Sequence, residues 1–561
     1  MASKRQQWIS CNRPRGEHVI FQEYKSAKRN FRRELRNAYQ KHMQETYNSL
    51  EKDFDIDQKR LWSFLNKNKK SKSCLSRLIV NGRQCSTQDD ILDGWAEHFE
   101  SIFKQNTESE PVSDKERAIT KTVEVAHKDF RGTFYNNTKL NITVNEVEKV
   151  LKCLKNNKAS GLDNIEYEHL KYGGNSLRNH MTKLFNLVCY NFYSPKSWKS
   201  SLIVPLFKGG KKCKSDPNSY RGISLAPCIG KVFDKIIDLK LELKKDNKCF
   251  PNPQQTAYQQ CLSCLHTSFN IHESIYHHIE RLGKVIVVLL DSTKAFDTVW
   301  HNGLLYKLLE YGVTGKLWLL IANMYSDAKS AVLYNGQISR FFPVYRGVRQ
   351  GSSLSSKLYL LYINDLLEEL SDCRRGILVT DIHISSPVQA DDIALISTNC
   401  CNMQTMVTIC ENYSIDWKFK FNPLKSIQLN FSKSKQHTDI LLYNSSIQLE
   451  ISARHVGVLL NSNLNSMDRT LQACRALRSS LLGLIKSGLH PSGISIDTCN
   501  RIVRQVCFTK AFFGCELWTE ITNTEILLLE RAQRYVCKSI QGLLRQTRSD
   551  MVNALIGWKS A

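Results

Sequence analysis

The sequence contains no apolar run long enough to cross a membrane. Its best run, Val285 to Leu290, has the length of one strand, far below the roughly 18 apolar residues of a membrane span. Residues 1–7 carry charges with no apolar core behind them, which disfavours a secretory signal peptide. We therefore expect no membrane partner and a location inside the cell.

Acidic residues are scarce relative to basic ones. Lysine and arginine number 78 against 53 aspartates and glutamates, which leaves a formal net charge of +25. An excess of this size attracts polyanions, and nucleic acid is the commonest of them. The alternative, that the charge serves solubility alone, rarely requires so large an excess. The composition therefore predicts a nucleic-acid-binding protein.

The sequence also lacks the signals of a disulfide framework and of a phosphate-binding glycine loop. The 19 cysteines are an odd number, are scattered along the chain and accompany no secretory signal, so we expect reduced thiols. Lys208-Gly209-Gly210 is too short to form a P-loop. These absences exclude a disulfide-stabilised secreted domain and a P-loop nucleotide hydrolase.

The length and the patterning predict several domains. At about 150 residues per domain, 561 residues correspond to three or four domains. Residues 1–104 are predicted to form a basic, mostly helical N-terminal extension with one long helix over 17–53, and the polar stretch 105–142 a linker. Helices alternate with short apolar strands over 143–465, and 466–561 is mostly helical. The predicted fold class is α+β.

One carboxylate follows a run that is typical of a buried strand. The apolar residues Val285 to Leu290 indicate a strand buried on both faces, and the run ends at Asp291. This placement puts Asp291 at the exposed end of a sheet. Capping of a following helix is the alternative explanation, and for this aspartate alone it is the favoured one.

A second acidic site changes that interpretation. Asp391 and Asp392 lie between two short apolar strands, the pattern of a tight hairpin with a double acid at its tip. Adjacent carboxylates repel each other near an apolar core unless a cation neutralises them, and Mg²⁺ prefers hard oxygen ligands. Together with Asp291 they can hold two magnesium ions about 4 Å apart, an arrangement for phosphoryl or nucleotidyl transfer. An exposed Asp-Asp turn is the alternative for the pair taken separately.

These two sites resemble motifs A and C of reverse transcriptases from non-LTR (LINE-type) retrotransposons. Further segments match that class in the same order: KASGLD at 158–163, IVPLFKG at 203–209, NSYRGISL at 218–225, RGVRQGSSLS at 346–355, NPLKS at 422–426 and VGV at 456–458. Residues 513–518 and 530–534 resemble the helical region that follows the polymerase core in this class. The resemblance covers most of the chain.

The resemblance implies a fold and an activity. The fold is a right-hand polymerase, with fingers and palm over 143–465, a helical thumb over 466–561 and the basic extension before them. The activity is RNA-directed DNA synthesis, in which two Mg²⁺ ions assist transfer of a nucleotide from a dNTP to a primer 3′-hydroxyl. The partners are an RNA template and a DNA primer or nicked target DNA, in the nucleus for target-site action or in the cytoplasm.

The resemblance also assigns roles to individual residues. Asp291, Asp391 and Asp392 would be the metal-binding catalytic acids. Lys425 would donate a proton to the leaving pyrophosphate.

Five further residues are assigned to nucleotide binding in the same way. Lys208 and Arg221 would bind the triphosphate. Phe296 would lie beneath the incoming sugar, where its ring clashes with a ribose 2′-hydroxyl and favours deoxynucleotides. Gln350 and Gly351 would line the nucleotide and template site.

Two positions depart from the family pattern and keep an alternative open. Residues 352–356 lack the proline that the family more often has at the start of a helix, and Gln389 replaces an aromatic residue near the primer. The alternative is a catalytically degraded retroelement remnant that acts only as a nucleic-acid-binding protein. An intron maturase or a cellular reverse transcriptase is disfavoured by the matches at 158–163 and 513–518.

Overall fold

The computed structural model describes most of the chain. The described residues are 1–54, 59–60, 62–63, 75, 77–104, 113–132, 140–210, 212–243, 249–432, 439–489 and 493–558. The chain divides into two compact units, one formed by Met1–Ser73 with Asn465–Ala561 and the other by Cys74–Leu464. Across those described ranges, none of the helices combines the length and the apolar character that crossing a membrane requires.

Helices and strands are both present, in agreement with the predicted α+β class. The strands of the described residues, in chain order, are β1 (Leu78–Val80), β2 (Arg83–Cys85), β3 (Ser200–Phe207), β4 (Tyr220–Leu225), β5 (Lys284–Asp291), β6 (Lys329–Tyr334), β7 (Gln337–Ile338), β8 (Phe342–Pro343), β9 (Ile377–Val379), β10 (Ile382–Ile384), β11 (Val388–Gln389), β12 (Asp392–Ser397), β13 (Ile427–Ser432), β14 (Leu441–Leu442), β15 (Ser445–Ser446), β16 (Gln448–Glu450), β17 (Ser452–His455) and β18 (Val458–Asn461).

The α-helices of the described residues are numbered in the same way. They are α1 (Ala2–Ser10), α2 (Val19–Phe54), α3 (Gln88–Phe103), α4 (Asp114–Gly132), α5 (Val144–Lys152), α6 (Tyr167–Tyr172), α7 (Gly174–Asn191), α8 (Lys196–Lys199), α9 (Cys228–Lys240), α10 (Cys264–Leu282), α11 (His301–Glu310), α12 (Gly315–Tyr325), α13 (Ser353–Asp372), α14 (Cys400–Asp416), α15 (Ser466–Lys486), α16 (Ile496–Val503), α17 (Thr509–Ala511), α18 (Asn523–Gln541) and α19 (Ser549–Leu555).

A five-stranded central sheet organises the unit Cys74–Leu464. Its strand order is β11-β12-β5-β13-β16, so β5 is the middle strand, and it pairs antiparallel with both neighbours. The apolar run of β5 is buried on both faces, because its even-numbered residues belong to one hydrophobic cluster and its odd-numbered residues to another. The prediction of a strand buried on both faces is confirmed.

A second five-stranded sheet lies in the same unit. Its order is β4-β3-β6-β7, with β8 also pairing with β6. Helix α3 packs against this sheet, since Trp95 and Phe99 share a buried cluster with Ile203 of β3 and Val332 of β6. The sequence prediction assigned residues 78–103 to a separate N-terminal extension. The apolar face of α3 needs a partner, and it finds that partner in the strands of this unit.

The linker predicted over 105–142 is wrong in its middle. Residues Asp114–Gly132 form helix α4, and Ile119 and Val123 are buried in the main hydrophobic cluster of the unit. The helix is hard to recognise because its apolar residues are few and charged residues separate them. The flanking residues 105–112 and 133–139 lie outside the described residues.

The other unit is helical in its described residues. Helix α2 covers nearly the same residues as the helix predicted over 17–53. Its Tyr47 packs in one core with Leu477 and Leu481 of α15 and Val536 of α18. The Tyr47 hydroxyl also donates a 3.1 Å hydrogen bond to the carbonyl of Gly488. Two segments that are far apart in sequence therefore build this core together.

Candidate active site

Asp291 and Asp392 lie directly opposite each other on neighbouring strands. Asp291 ends β5 and Asp392 begins β12, and the antiparallel register pairs their Cα atoms. Residues paired in this way share one face of a sheet, with Cβ atoms about 4.5–5.5 Å apart. The two carboxylates therefore occupy one site at the end of the central sheet.

Asp391 lies in the turn between β11 and β12. The turn is a two-residue loop of Ala390 and Asp391, and Ala390 has the positive φ of +59° that tight hairpin turns require. The Ser292 hydroxyl donates a 3.5 Å hydrogen bond to the carbonyl of Asp391, which links the turn to the residue after Asp291. The structure thus brings the three sequence-predicted acids, Asp291, Asp391 and Asp392, to one place.

Two of the three acids, Asp391 and Asp392, have raised pKa values. Burial, and then the charges of Asp391 and Asp291, raise the pKa of Asp392 to about 6, and Arg221 opposes them. The pKa of Asp391 is also raised, mainly by burial, although Arg221 lowers it in part. Like charges that share a partly desolvated site favour the protonated form. Burial and neighbouring carboxylates therefore both disfavour the charged forms of Asp391 and Asp392.

Lys425 lies beside Asp291. Its Nζ atom is 3.6 Å from Oδ2 of Asp291. Two hydrogen bonds hold the loop that carries Lys425: the Asn422 N–H donates to the carbonyl of Asp291 at 2.8 Å, and the Asp291 N–H donates to the Ser426 hydroxyl at 3.2 Å. The position of Lys425 relative to the acids is therefore set by the backbone of β5.

The donor set of this site suits a hard divalent cation. Carboxylate oxygens are the ligands that Mg²⁺ prefers. Burial, and after it the neighbouring carboxylates, raise the pKa of Asp391 and of Asp392, and a bound cation would favour their charged forms instead. Among the described residues, no three Asp, Glu, His or Cys side chains already form a metal-binding group. Asp291 is paired with Lys425 instead. The residues fit a metal in chemistry, and Asp291 would exchange its lysine partner for the ion.

Lys208 and Arg221 lie near the acids at the edge of the second sheet. Arg221 is on β4, and Lys208 directly follows β3, the strand that pairs with β4. Burial lowers the pKa of Lys208, neighbouring cations that include Lys425 and Arg221 lower it further, and Asp291 raises it. These mutual effects define a positively charged neighbourhood beside Asp291.

The ring of Phe296 is fixed between two tyrosines. It stacks on Tyr359 of α13 with ring centroids 4.4 Å apart, and Tyr258 meets it edge-on at 6.3 Å. The carbonyl of Phe296 accepts a 2.8 Å hydrogen bond from the Val348 N–H. Burial and the charge of Asp391 raise the pKa of both tyrosines, so this aromatic group lies close to the acids.

Gln350 and Gly351 belong to the loop that precedes α13. The Gln350 Nε2 donates a 2.9 Å hydrogen bond to Oδ1 of Asp297, and its carbonyl accepts one of 3.3 Å from the Ser224 N–H. Gly351 has a φ of +115°, a conformation that L-residues with a Cβ rarely adopt. The loop is thereby tied both to the turn after β5 and to β4.

The start of α13 is held without the proline that the family pattern includes. Ser352 precedes the helix, and its hydroxyl donates a 2.9 Å hydrogen bond to the carboxylate of Asp234. Burial raises the pKa of Asp234, and the hydrogen bond from Ser352 lowers it. A partly buried hydrogen bond therefore fixes the residue before the helix.

Two residues of the site, Asp297 and Tyr258, had no role predicted from the sequence. Asp297 lies in the same short segment as Asp291, so the sequence offered its proximity to that acid as an indication of a role in the site. Tyr258 lies in a segment with no periodicity and no motif, and nothing in the sequence indicated that it would contact Phe296.

The site combines acidic side chains, at a strand end and a hairpin turn, with neighbouring cations and a fixed aromatic ring. This combination is typical of nucleotidyl-transfer sites. Comparison with known families agrees with this class. Residues 210–445 match the family described as reverse transcriptase (RNA-dependent DNA polymerase). This segment, which includes Asp291, Asp391 and Asp392, is therefore similar in sequence to reverse transcriptases.

Similar proteins come from mobile elements. The chain is 25% identical over 405 residues to the probable RNA-directed DNA polymerase from transposon X-element of Drosophila melanogaster, covering 71% of this chain and 44% of that protein. It is 27% identical over 343 residues to the probable RNA-directed DNA polymerase from transposon BS of the same species, covering 58% and 36%. It is 22% identical over 413 residues to the RNA-directed DNA polymerase from mobile element jockey of Drosophila melanogaster, covering 72% and 44%.

These matches confirm the resemblance to reverse transcriptases of non-LTR retrotransposons. In each of the three comparisons the match spans less than half of the relative's length.

Proposed function

We propose that this chain is an RNA-directed DNA polymerase of a non-LTR retrotransposon. It would add deoxynucleotides to the 3′-hydroxyl of a DNA primer or nicked target DNA along an RNA template, at chromosomal DNA in the nucleus. The proposal is carried by one observation: Asp291 and Asp392 are cross-strand partners, with Asp391 in the adjoining turn, inside the segment that matches the reverse transcriptase family.

The same proposal assigns parts of the right-hand architecture to the two units. The central sheet with the three acids is the palm, and the second sheet, which carries Lys208 and Arg221 at its edge, belongs to the fingers. The helices α15 to α19 form the thumb, and α1 and α2 form the basic N-terminal extension. In this proposal residues 143–465 hold fingers and palm, and α3 and α4 add to them from the N-terminal side.

Each side chain of the site has a task in this reaction. Lys208 and Arg221 bind the triphosphate, Arg221 through its planar set of donors and Lys208 as a point charge. Phe296 is held by its stack on Tyr359, so it cannot move away from a ribose 2′-hydroxyl above it. Gln350 and Gly351 shape the loop beneath the nucleotide and the template.

The three acids would bind the metal ions, and Lys425 would supply a proton to the leaving group. Asp291, Asp391 and Asp392 would hold two Mg²⁺ ions, which supply activation of the primer hydroxyl and stabilisation of the leaving oxygen. Binding a cation requires these carboxylates to be deprotonated, so the raised pKa values of Asp391 and Asp392 would fall on loading. Lys425, already beside Asp291, donates a proton to the departing pyrophosphate.

Primer extension on an RNA template with Mg²⁺ and dNTPs tests the proposal. The wild type is compared with Asp391→Asn/Asp392→Asn, which keeps the size of both side chains and removes their charge. Asp381→Asn, an exposed aspartate of the same unit that lies outside the site, is the matched control. Binding of each protein to the primer–template is measured by fluorescence anisotropy.

We expect extension by the wild type and the control, and loss of extension with retained binding in the double variant. If no protein extends the primer while all of them bind it, the chain is a nucleic-acid-binding remnant. Extension by the double variant would place the metal site elsewhere.

A further inference from the structure

A short segment before α10 runs along the edge of the central sheet next to the acidic turn. Gln255 forms a parallel β-bridge with Val388 of β11. The Val388 N–H donates to the carbonyl of Gln254 at 2.8 Å, and the Thr256 N–H donates to the carbonyl of Val388 at 3.0 Å. Because β11 is a two-residue edge strand, this segment supplies hydrogen bonds that the strand would otherwise lack on one side.

The side chain of Gln255 forms hydrogen bonds with the backbone of the turn itself. Gln255 is only 1% exposed. Its Oε1 accepts a 2.9 Å hydrogen bond from the Ala390 N–H and one of 3.0 Å from the Ala257 N–H, and its Nε2 donates to the carbonyl of Ala390 at 3.5 Å. One carboxamide therefore contacts both the N–H and the C=O of the residue that precedes Asp391.

The neighbours of Gln255 hold the same segment from either side. The Oε1 of Gln254 accepts hydrogen bonds from the backbone N–H groups of Ser385 at 3.0 Å and Ser386 at 2.6 Å. The hydroxyl of Thr256 donates to Oε1 of Gln389. Three consecutive side chains thus contact the chain that leads into the acidic turn.

The turn needs such support because of its backbone conformation. Ala390 has a φ of +59°, a region in which an L-residue with a Cβ is disfavoured. Such a conformation persists only where the surroundings determine it. The hydrogen bonds of Gln255 to the Ala390 N–H and C=O orient the peptide groups on both sides of this residue, and therefore the start of Asp391.

We propose that Gln255 is a positioning residue for Asp391 and Asp392, which holds the acidic turn in its working geometry through the backbone of Ala390. The expected effect of Gln255 on catalysis rests on the proposed function. The hold of Gln255 on the turn does not depend on that function and can be measured separately.

The test compares two substitutions at Gln255 with a matched control. Gln255→Leu removes both hydrogen-bonding groups, and Gln255→Glu keeps the acceptor for the Ala390 N–H. Gln404→Leu is the control, because the Gln404 carboxamide pairs in the same way with the backbone of Leu441, at 2.8 and 2.9 Å, away from the site.

Hydrogen–deuterium exchange of peptides spanning 385–396 reports on the turn without any need for activity. Single-nucleotide incorporation, titrated with dNTP and with Mg²⁺, reports on catalysis, and anisotropy reports on primer–template binding. We expect faster exchange in this peptide for Gln255→Leu, with an incorporation rate at saturating dNTP lower by roughly 10- to 100-fold and unchanged primer–template affinity. Gln255→Glu should lie between Gln255→Leu and the wild type, and Gln404→Leu should match the wild type in all of these measurements.

The outcomes separate this inference from the proposed function. Unchanged exchange of 385–396 in Gln255→Leu overturns the inference whatever the activity, and so does faster exchange with an unchanged rate. Failure of the wild type to incorporate any nucleotide overturns the proposed function, and the exchange data then decide by themselves whether Gln255 holds the turn. If Gln255→Leu does not fold, Gln255→Glu carries the same comparison.

Discussion

The Gln350 side chain donates a 2.9 Å hydrogen bond to the carboxylate of Asp297. This bond joins the loop before α13 to the turn after β5. Burial raises the pKa of Asp297 to about 6, while the bond from Gln350 lowers it. The pair therefore fixes the loop and stabilises a buried carboxylate at the same time.

A double-mutant cycle should show that Gln350 and Asp297 act as one unit. We expect Gln350→Ala and Asp297→Ala each to lower kcat/KM for dNTP, and the double variant to be little worse than the more damaged single one. Residues in direct contact typically show coupling energies of about 0.5–3 kcal/mol. Gln350→Ala combined with Asp381→Asn should be additive, and additivity in the first cycle would contradict a functional bond.

Phe296 should control the choice of sugar. Phe296→Val removes the ring that Tyr359 holds in place, so we expect incorporation of ribonucleotides relative to deoxynucleotides to rise by roughly 10- to 200-fold, the range for a changed steric contact. Competitive incorporation of rNTP and dNTP measures this ratio. Phe341→Val, which changes an exposed phenylalanine, is the control. An unchanged ratio would show that Phe296 is a packing residue only.

A basic pocket in the helical unit should bind nucleic-acid phosphates. The pocket has a volume of about 450 Å³ and is lined by Arg531, Arg534, Lys538 and Arg545 among others. The Lys538 Nζ donates a 2.7 Å hydrogen bond to the carbonyl of Arg545, which fixes one wall.

The salt dependence of primer–template binding measures this contact. Each phosphate contact to a duplex contributes about 0.9 to the slope of log K against log salt concentration, so Arg531→Ser/Arg545→Ser should reduce the slope by about 1–2. Arg548→Ser is the control for the loss of a single positive charge, because it removes an arginine that is ion-paired with Asp550 at 2.6 Å. Equal slopes for the wild type and the double variant would exclude this pocket from the interface.

His98 should make the unit Cys74–Leu464 sensitive to acid. The imidazole is 9% exposed on α3, and burial, then the charge of Lys294, lowers its pKa from 6.5 to about 4. Between pH 6.5 and 4, His98 binds a proton in the unfolded chain but stays neutral in the folded chain. The free energy of unfolding therefore falls as the pH falls towards 4. The loss amounts to at most about 3 kcal/mol.

Chemical denaturation of the wild type and His98→Leu between pH 4 and 8 measures this effect. The stability difference between the two proteins should shift in favour of His98→Leu as the pH falls below 6.5. His180→Leu, at an exposed histidine, should show no such trend. Parallel curves for wild type and His98→Leu would show that His98 binds protons equally in the folded and unfolded chains, which would contradict the lowered pKa.

Much of the site could be predicted because its chemistry is local in sequence. The run before Asp291 and the pair Asp391-Asp392 each combine a strand pattern with a carboxylate, and the structure pairs Asp291 with Asp392 across the sheet. The hold of Gln255 on Ala390 joins residues 135 positions apart and involves backbone groups, so no sequence pattern reports it. Helix α4 could not be predicted for a similar reason. Its apolar residues are too sparse to indicate a helix by themselves, and their role becomes visible only in the hydrophobic core that they join.

The shared core of the helical unit has a consequence for synthesis on the ribosome. Tyr47 is made first, and its hydrogen-bond partner Gly488 follows 441 residues later. At translation speeds of about 5–20 residues per second, Tyr47 waits tens of seconds for that partner. The unit Cys74–Leu464 emerges completely in that interval. The nascent chain therefore has time to fold the unit Cys74–Leu464 first, and helix α2 exposes the apolar residues of its docking face until the segment around Gly488 has been made.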